Sequence, residues 1–189
     1  MRPLTVEFVG GDVGEWEVAS NTAIRGEGLP VVARMNVQEG LNTDRCPPTA
    51  VWVLRGLTSN ERYANRAERD ALRARTPALG RSEATAAALI PITKSQQWWE
   101  LAQDERREIF EEQSRHIAAS LTYLPRIARR LHHGRDLGEP FDFLTWFEYS
   151  PEDEAAFDEL VGLLRATDEW RYVIREVDVR LRRQRTEAV

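Results

Sequence analysis

KSQQWWELAQDERREIFEEQSRHIAASLTYLPRIARR, residues 94–130, is the stretch on which the reading of this chain turns. It is the longest helix-like run in the sequence. At 100° per residue, Ile109, Phe110, Gln113, Ile117, Ser120, Leu121 and Leu124 share one side. Asp104, Arg107, Glu108, Glu111 and Arg115 lie opposite, where water suits them. The spacing predicts one long amphipathic helix laid on a core, with Ser95 placed to cap its start. His116 falls at the edge of the apolar stripe. Pro125 ends the helix, because it has no N–H to donate and clashes with the preceding turn. Arg126, Arg129 and Arg130 follow as a basic cluster.

Periodicity alone reads His116 as a core-edge histidine satisfied by a neighbour. A single imidazole holding a haem iron is the alternative. Trp98 and Trp99 lie in the first turns, where an indole pair usually packs core and rim. His132 and His133 are adjacent, and helical metal pairs are four apart, so they read as a surface pair.

Outward from this stretch, strands and helices alternate. Residues 50–57, AVWVLRGL, read as a buried strand. Ser59 or Asn60 can cap a helix after it, and Pro77 and Gly80 stop that helix. Residues 86–93 are apolar and strand-like, and FDFLTWFEY (141–149) alternates cleanly. Ser150-Pro151-Glu152-Asp153 starts a helix with Phe157, Leu160, Val161 and Leu164 on its buried stripe. Residues 171–181 form a last strand, with Val173, Val177, Val179 and Leu181 on one face. At the start, residues 3–20 read as a hairpin turning at Gly10-Gly11, and residues 31–35 as a short strand. From residue 50 the order is strand, helix, strand, long helix, strand, helix, strand. That order fits an α+β fold, an antiparallel sheet with helices on one face in a ferredoxin-like arrangement.

The 189 residues suit one domain or two small fused halves, and 42% hydrophobic content fills an ordinary core. Charged residues make up 30% and the net charge is −5, which argues against nucleic acid as a partner. No run of about 18 apolar residues offers a membrane span. MRPLTVEFVGGDVGEW lacks the apolar core of a secretion signal, so a cytoplasmic location is expected. Cys46 is the only cysteine, which excludes an intrachain disulfide and a cysteine zinc site. Of the 26 basic residues, only Lys94 is a lysine. Codon bias explains the arginines, but a lysine kept inside this stretch points to a task an arginine performs less well.

LIPITKSQQWWE, DERREIFEEQSRHIAASLTYLP, RDLGEPFDFLTWFEY and TDEWRYVIREVDVRL, in this order and spacing, closely resemble the chlorite dismutase family, in its short-subunit dimeric branch. The resemblance covers residues 90–181, about half the chain, and continues more weakly over 51–57 and 71–88. It implies a dimeric α+β barrel of ferredoxin-like halves, here a shortened N-terminal half (1–85) and a haem-binding half (86–189). It implies haem b with His116 as proximal ligand and Glu169 as the carboxylate on that histidine. Asp168, its neighbour, and Glu176 are the residues with which Glu169 could be confused. It puts Lys94 on a haem propionate, Trp98 beside the haem, Trp99 at or near the subunit contact, and Ile90 and Leu124 against the cofactor. Arg129 aligns with the distal arginine that orients chlorite, a small anion. A straight helix would carry Arg129 about 20 Å past His116, so the break at Pro125 is required. Thr76 aligns where dimeric relatives often carry a distal glutamine, which implies a looser hold on Arg129.

The implied reaction turns chlorite into chloride and dioxygen with O–O bond formation, a detoxification. Rival readings are a coproheme decarboxylase, a peroxidase-like enzyme, a haem carrier or sensor, and a dimer with no cofactor.

Overall fold

The computed structural model describes residues 4–40, 49–58 and 63–183. Eight strands close into a barrel: β1 (Thr5–Gly11), β2 (Trp16–Arg25), β3 (Arg34–Glu39), β4 (Trp52–Thr58), β5 (Ala86–Lys94), β6 (Ala128–His133), β7 (Phe143–Tyr149) and β8 (Val173–Arg182). Around the barrel the order is β1-β3-β2-β8-β5-β7-β6-β4, and every neighbouring pair is antiparallel. Closure gives every strand two neighbours, although β2 meets β3, and β4 meets β6, over only two residue pairs each. The fold is α+β, as the element order predicts.

Strand alternation builds two cores from one sheet. Phe8, Trp16, Leu54, Leu89, Leu144, Trp146, Val177 and Val179 point into the barrel. Ala88, Ile90, Ile92, Phe143, Phe147 and Tyr149 point outward, against helix α5 (Glu154–Arg165) and its buried stripe Phe157, Leu160, Val161 and Leu164. β5 is covered on both faces, which is why its first seven residues, AAALIPI, read as an unbroken apolar run. Val173 belongs to the outer core rather than to the inward face of Val177, Val179 and Leu181. A register shift between Thr93 and Lys94, where β5 pairs with β8, accompanies the change.

The first strands depart from the expected hairpin. β3 lies between β1 and β2 and pairs with both, beginning at Arg34 rather than residue 31. Gly10 and Gly11 are not a turn but the last residues of β1, paired with Met35 and Arg34. The Trp52 indole lies flat on Gly10, where a Cβ would sit 2.2 Å from the ring. Close approach, not chain reversal, accounts for that glycine. Ser59 and Asn60 lie outside the described residues. Helix α1 (Arg66–Arg75) is capped by Asn65, whose side chain accepts from Glu68 N–H while Glu68 accepts from Asn65 N–H.

The long helix is the largest correction. Residues 96–123 form α2 (Gln96–Glu100), α3 (Gln103–Arg107), a π turn (Glu108–Gln113) and α4 (His116–Tyr123). Extended residues at Leu101 and Ala102 separate α2 from α3, and Arg115, in the left-handed region at φ 50°, separates the π turn from α4. Ser95 stands at the start of α2, but its hydroxyl makes no capping bond. α4 does end before Pro125, and the chain leaves it to become β6.

Candidate functional site

One cavity, open at its mouth, lies between the outer face of the sheet and the helices. Cross-strand register lays out its floor. Arg129 pairs with Phe147, Leu131 with Thr145 and then Ile90, and His133 with Phe143 and then Ile92. Arg129 and His133 share a face of β6, four residues and roughly 13 Å apart. Lys94 continues β5 past Ile92, at the end of the floor away from Arg129. The walls include His116, Ile117 and Ser120 from α4 and Leu160, Val161 and Leu164 from α5.

At the Lys94 end, four groups form a buried chain. His116 Nδ1 lies 2.7 Å from Glu169 Oε2, and Lys94 Nζ donates to Glu169 Oε1 at 2.7 Å. The ammonium also sits over the Trp98 ring, 4.2 Å from its centroid. The residue carrying the carboxylate is fixed too, since Glu169 N–H donates to Ser114 Oγ at 3.1 Å. Burial alone would raise the Glu169 pKa, but the charges of Lys94 and His116 outweigh it and hold the group at about 2. Burial pulls the Lys94 ammonium below the usual lysine range, and Glu169 opposes that pull. With two donors on one carboxylate, the ionised form of Glu169 is the one the geometry supports.

That depression has a sign in stability. Below its folded pKa of about 2, Glu169 is protonated in both states and contributes nothing extra; above about 4.5 the contribution is complete. Denaturation midpoints at pH 5 and pH 3 are therefore expected to differ more in the wild-type chain than in Glu169→Gln. Equal losses in the two would refute the assignment.

The expected residues sort as follows. His116, Lys94, Trp98, Glu169, Ile90 and Arg129 all line this cavity. Lys94 bonds Glu169 rather than standing free for a propionate, because its side chain is only 1% exposed and its Nζ faces the carboxylate. Thr76 is not among the lining residues: it closes α1, with its N–H donating to Leu72 O at 2.8 Å, so a catalytic role is withdrawn. Leu124 also misses the lining, packing instead beside Leu72 and Ile117. Asp168 pairs with Arg171 at the surface, and Glu176 accepts from Arg165 and Trp170, so neither competes for His116. Trp99 stacks on Phe143 and donates to Asp142.

The histidine pair is corrected. His132 and His133 are both buried, on opposite faces of β6. His132 points into the barrel against Phe8, bonds Leu144 O through Nδ1, and is held at about pKa 4 chiefly by burial. His133 lines the cavity. Its even spacing from Arg129 was the available signal, once residues 128–133 are a strand rather than a helix tail. Phe110, which the helical period places on the apolar stripe, and Tyr63 also line the cavity.

This site suits a planar apolar group held by one imidazole. Glu169 occupies His116 Nδ1, which leaves Nε2 for the cavity that the ring lines. Among the described residues no group of three or more His, Cys, Asp or Glu is gathered for a bare metal ion. A macrocycle supplies its own equatorial ligands and needs one more. Trp98 Nε1–H is buried at the cavity with no acceptor among the described residues, a donor suited to an anionic edge.

The family model for chlorite dismutase matches residues 48–184. The chain belongs to the chlorite dismutase family. The crystal structure of dimeric chlorite dismutases from Nitrobacter winogradskyi has a TM-score of 0.88 and 55% identity, covering 95% of this chain and 99% of that one. A mutant chlorite dismutase from Candidatus Nitrospira defluvii, at 20% identity, shares the fold with a TM-score of 0.69 over 97% of this chain and 92% of that one. Chlorite dismutase of Ideonella dechloratans is 33% identical over 89 residues, 47% of this chain. This chain spans 29% of that relative's length. Chlorite dismutases depend on haem b, and the cavity's donor set fits that cofactor.

Proposed function

We propose that this chain converts chlorite to chloride and dioxygen on haem b, ClO₂⁻ → Cl⁻ + O₂, as a homodimer in the cytoplasm, and that its role is chlorite detoxification. What carries the reading is that one cavity is lined by both a carboxylate-held imidazole and a guanidinium. His116 would hold the cofactor through Nε2, and Glu169 would make the ring a stronger donor. Ile90 would pack on its face and Trp98 would donate to its edge. When bound, haem would supply the redox-active iron for oxygen-atom transfer, with chlorite and then hypochlorite as the anions in the cavity.

Arg129 stays charged at any working pH and meets an anion at both stages. Its charge is set in place on β6 before substrate enters, so little reorganisation is needed. Leucine, isoleucine and phenylalanine side chains line the same cavity and would lower the dielectric in which its charge acts. No side chain has to add or remove a proton for the equation to balance.

The layout of residues 86–182 as β8-β5-β7-β6, with helices after β5 and β7, supports a ferredoxin-like half. Residues 1–85 read as the shortened half, with β1 to β4 following one another before α1.

The test is an oxygen electrode with haem-loaded protein: one dioxygen per chlorite consumed supports the proposal, and haem uptake without oxygen leaves a carrier or decarboxylase. With Thr76 outside the cavity, retention of hypochlorite falls to Arg129 and the apolar walls. A chlorination probe is expected to trap more hypochlorite here than in a glutamine-bearing relative; equal trapping would count against this.

A further inference from the structure

The segment before His116 is built around a π turn, and its side chains converge on the imidazole. A π turn holds more residues per turn than an α-helix, so consecutive side chains take directions that an α-helix would not give them. Phe110 stacks on the His116 ring, with centroids 4.4 Å apart and planes 22° from parallel. Tyr63 packs against Phe110 in turn, tilted at 47° with ring centroids 5.5 Å apart. The next residue, Glu111, turns its carboxylate onto the start of α4. Oε2 accepts Ile117 N–H at 2.6 Å and Oε1 accepts Ala118 N–H at 3.2 Å.

These contacts complement the one from Glu169. A single hydrogen bond at Nδ1 fixes where the ring points but lets it roll about the Nδ1–Oε2 line. A stacked phenyl ring removes the roll. His116 is the first residue of α4, so rocking of that first turn would swing the ring bodily. Glu111 ties the turn down by satisfying two N–H groups that a helix start leaves open. Ser114, in the same linker, holds the backbone of Glu169.

We infer that Phe110 and Glu111 are positioning residues, which set the plane and height of the His116 imidazole before the cofactor arrives. The functional consequence rests on the proposed role of His116; the clamp itself does not.

The experiment uses the full chain with labelled histidine, first without haem and then with it. The three histidines are told apart by a His116→Gln variant. In the wild-type chain the His116 ring protons are expected upfield, displaced by the phenyl ring current. Phe110→Leu, which keeps most of the volume, is expected to abolish that displacement, and Phe110→Tyr to restore it. Glu111→Gln is expected to leave the stacking but broaden the His116 signals as α4 loosens. On haem addition, Phe110→Leu and Glu111→Ala are expected to bind about 10–100-fold more weakly, with circular dichroism showing an intact fold. A His116 resonance that ignores Phe110→Leu overturns the clamp, and undiminished haem affinity in both variants overturns its part in holding the cofactor. A displaced resonance in a wild-type chain that takes up no haem supports the clamp and overturns the cofactor reading.

Discussion

Arg129→Ala is expected to lower the rate of oxygen release from chlorite by about 10²–10³-fold, the usual cost of deleting one preorganised charge from a dry site. The loss should fall on the chemical step as well as on chlorite affinity, because hypochlorite needs holding after the first oxygen transfer. Haem uptake should survive, since Arg129 lies at the end of the floor away from Lys94 and Glu169. Arg129→Lys should recover only part of the rate: an ammonium keeps the charge but loses the planar fork. Oxygen electrode traces for the three proteins, with haem content measured on each, decide the matter. Undiminished turnover in the alanine variant would remove Arg129 from the mechanism.

Lys94→Met is expected to destabilise the fold by about 3–5 kcal/mol, as removal of one partner from a buried ion pair does. The Lys94 and Glu169 side chains are only 1% and 5% exposed, so water cannot replace the lost bond. Glu169 would then face His116 alone, and its pKa would rise as the opposing charge disappears. Lys94→Arg is not expected to rescue the loss. The slot over the Trp98 ring admits a point charge on a thin stem, whereas a guanidinium brings a wider head and five donors to a slot where the ammonium bonds one carboxylate, that of Glu169. This is a physical reason for the one lysine to persist among so many arginines. Chemical denaturation at pH 7 of the three proteins checks the prediction. A methionine variant as stable as the wild type would mean that the pair costs as much to desolvate as it returns.

The sequence carried the C-terminal half well because that half obeys simple periods. Phe143 to Tyr149 alternates, the stripe of α5 recurs as helices do, and β5 is apolar on both faces. Each of those patterns reports burial directly. What failed was the part in which burial and local geometry part company. The helical period of residues 94–130 is real over short spans, but extended backbone at Leu101 and Ala102, a π turn and a left-handed Arg115 reset its phase. No residue in the stretch announces those breaks as a proline or glycine would. The same resetting hid Phe110 and Glu111 as neighbours of His116. At the other end, Gly10-Gly11 imitated a turn because a glycine pair signals both reversal and close approach, and only the Trp52 ring tells them apart. His132 and His133 were misread for lack of a strand assignment. Arg129, Lys94 and Glu169 came from resemblance, since the contact between Lys94 and Glu169 spans 75 residues that no local period connects.

Lys94 is the chain's single lysine, and the fold seals it. An amine-directed reagent, or an enzyme that acylates lysine or attaches another protein to it, therefore finds no lysine target on the folded molecule. The ε-amine becomes reactive only when its slot opens. The rate at which Lys94 takes up such a label is thus a clock for opening at the heart of the site, read without interference from any other lysine.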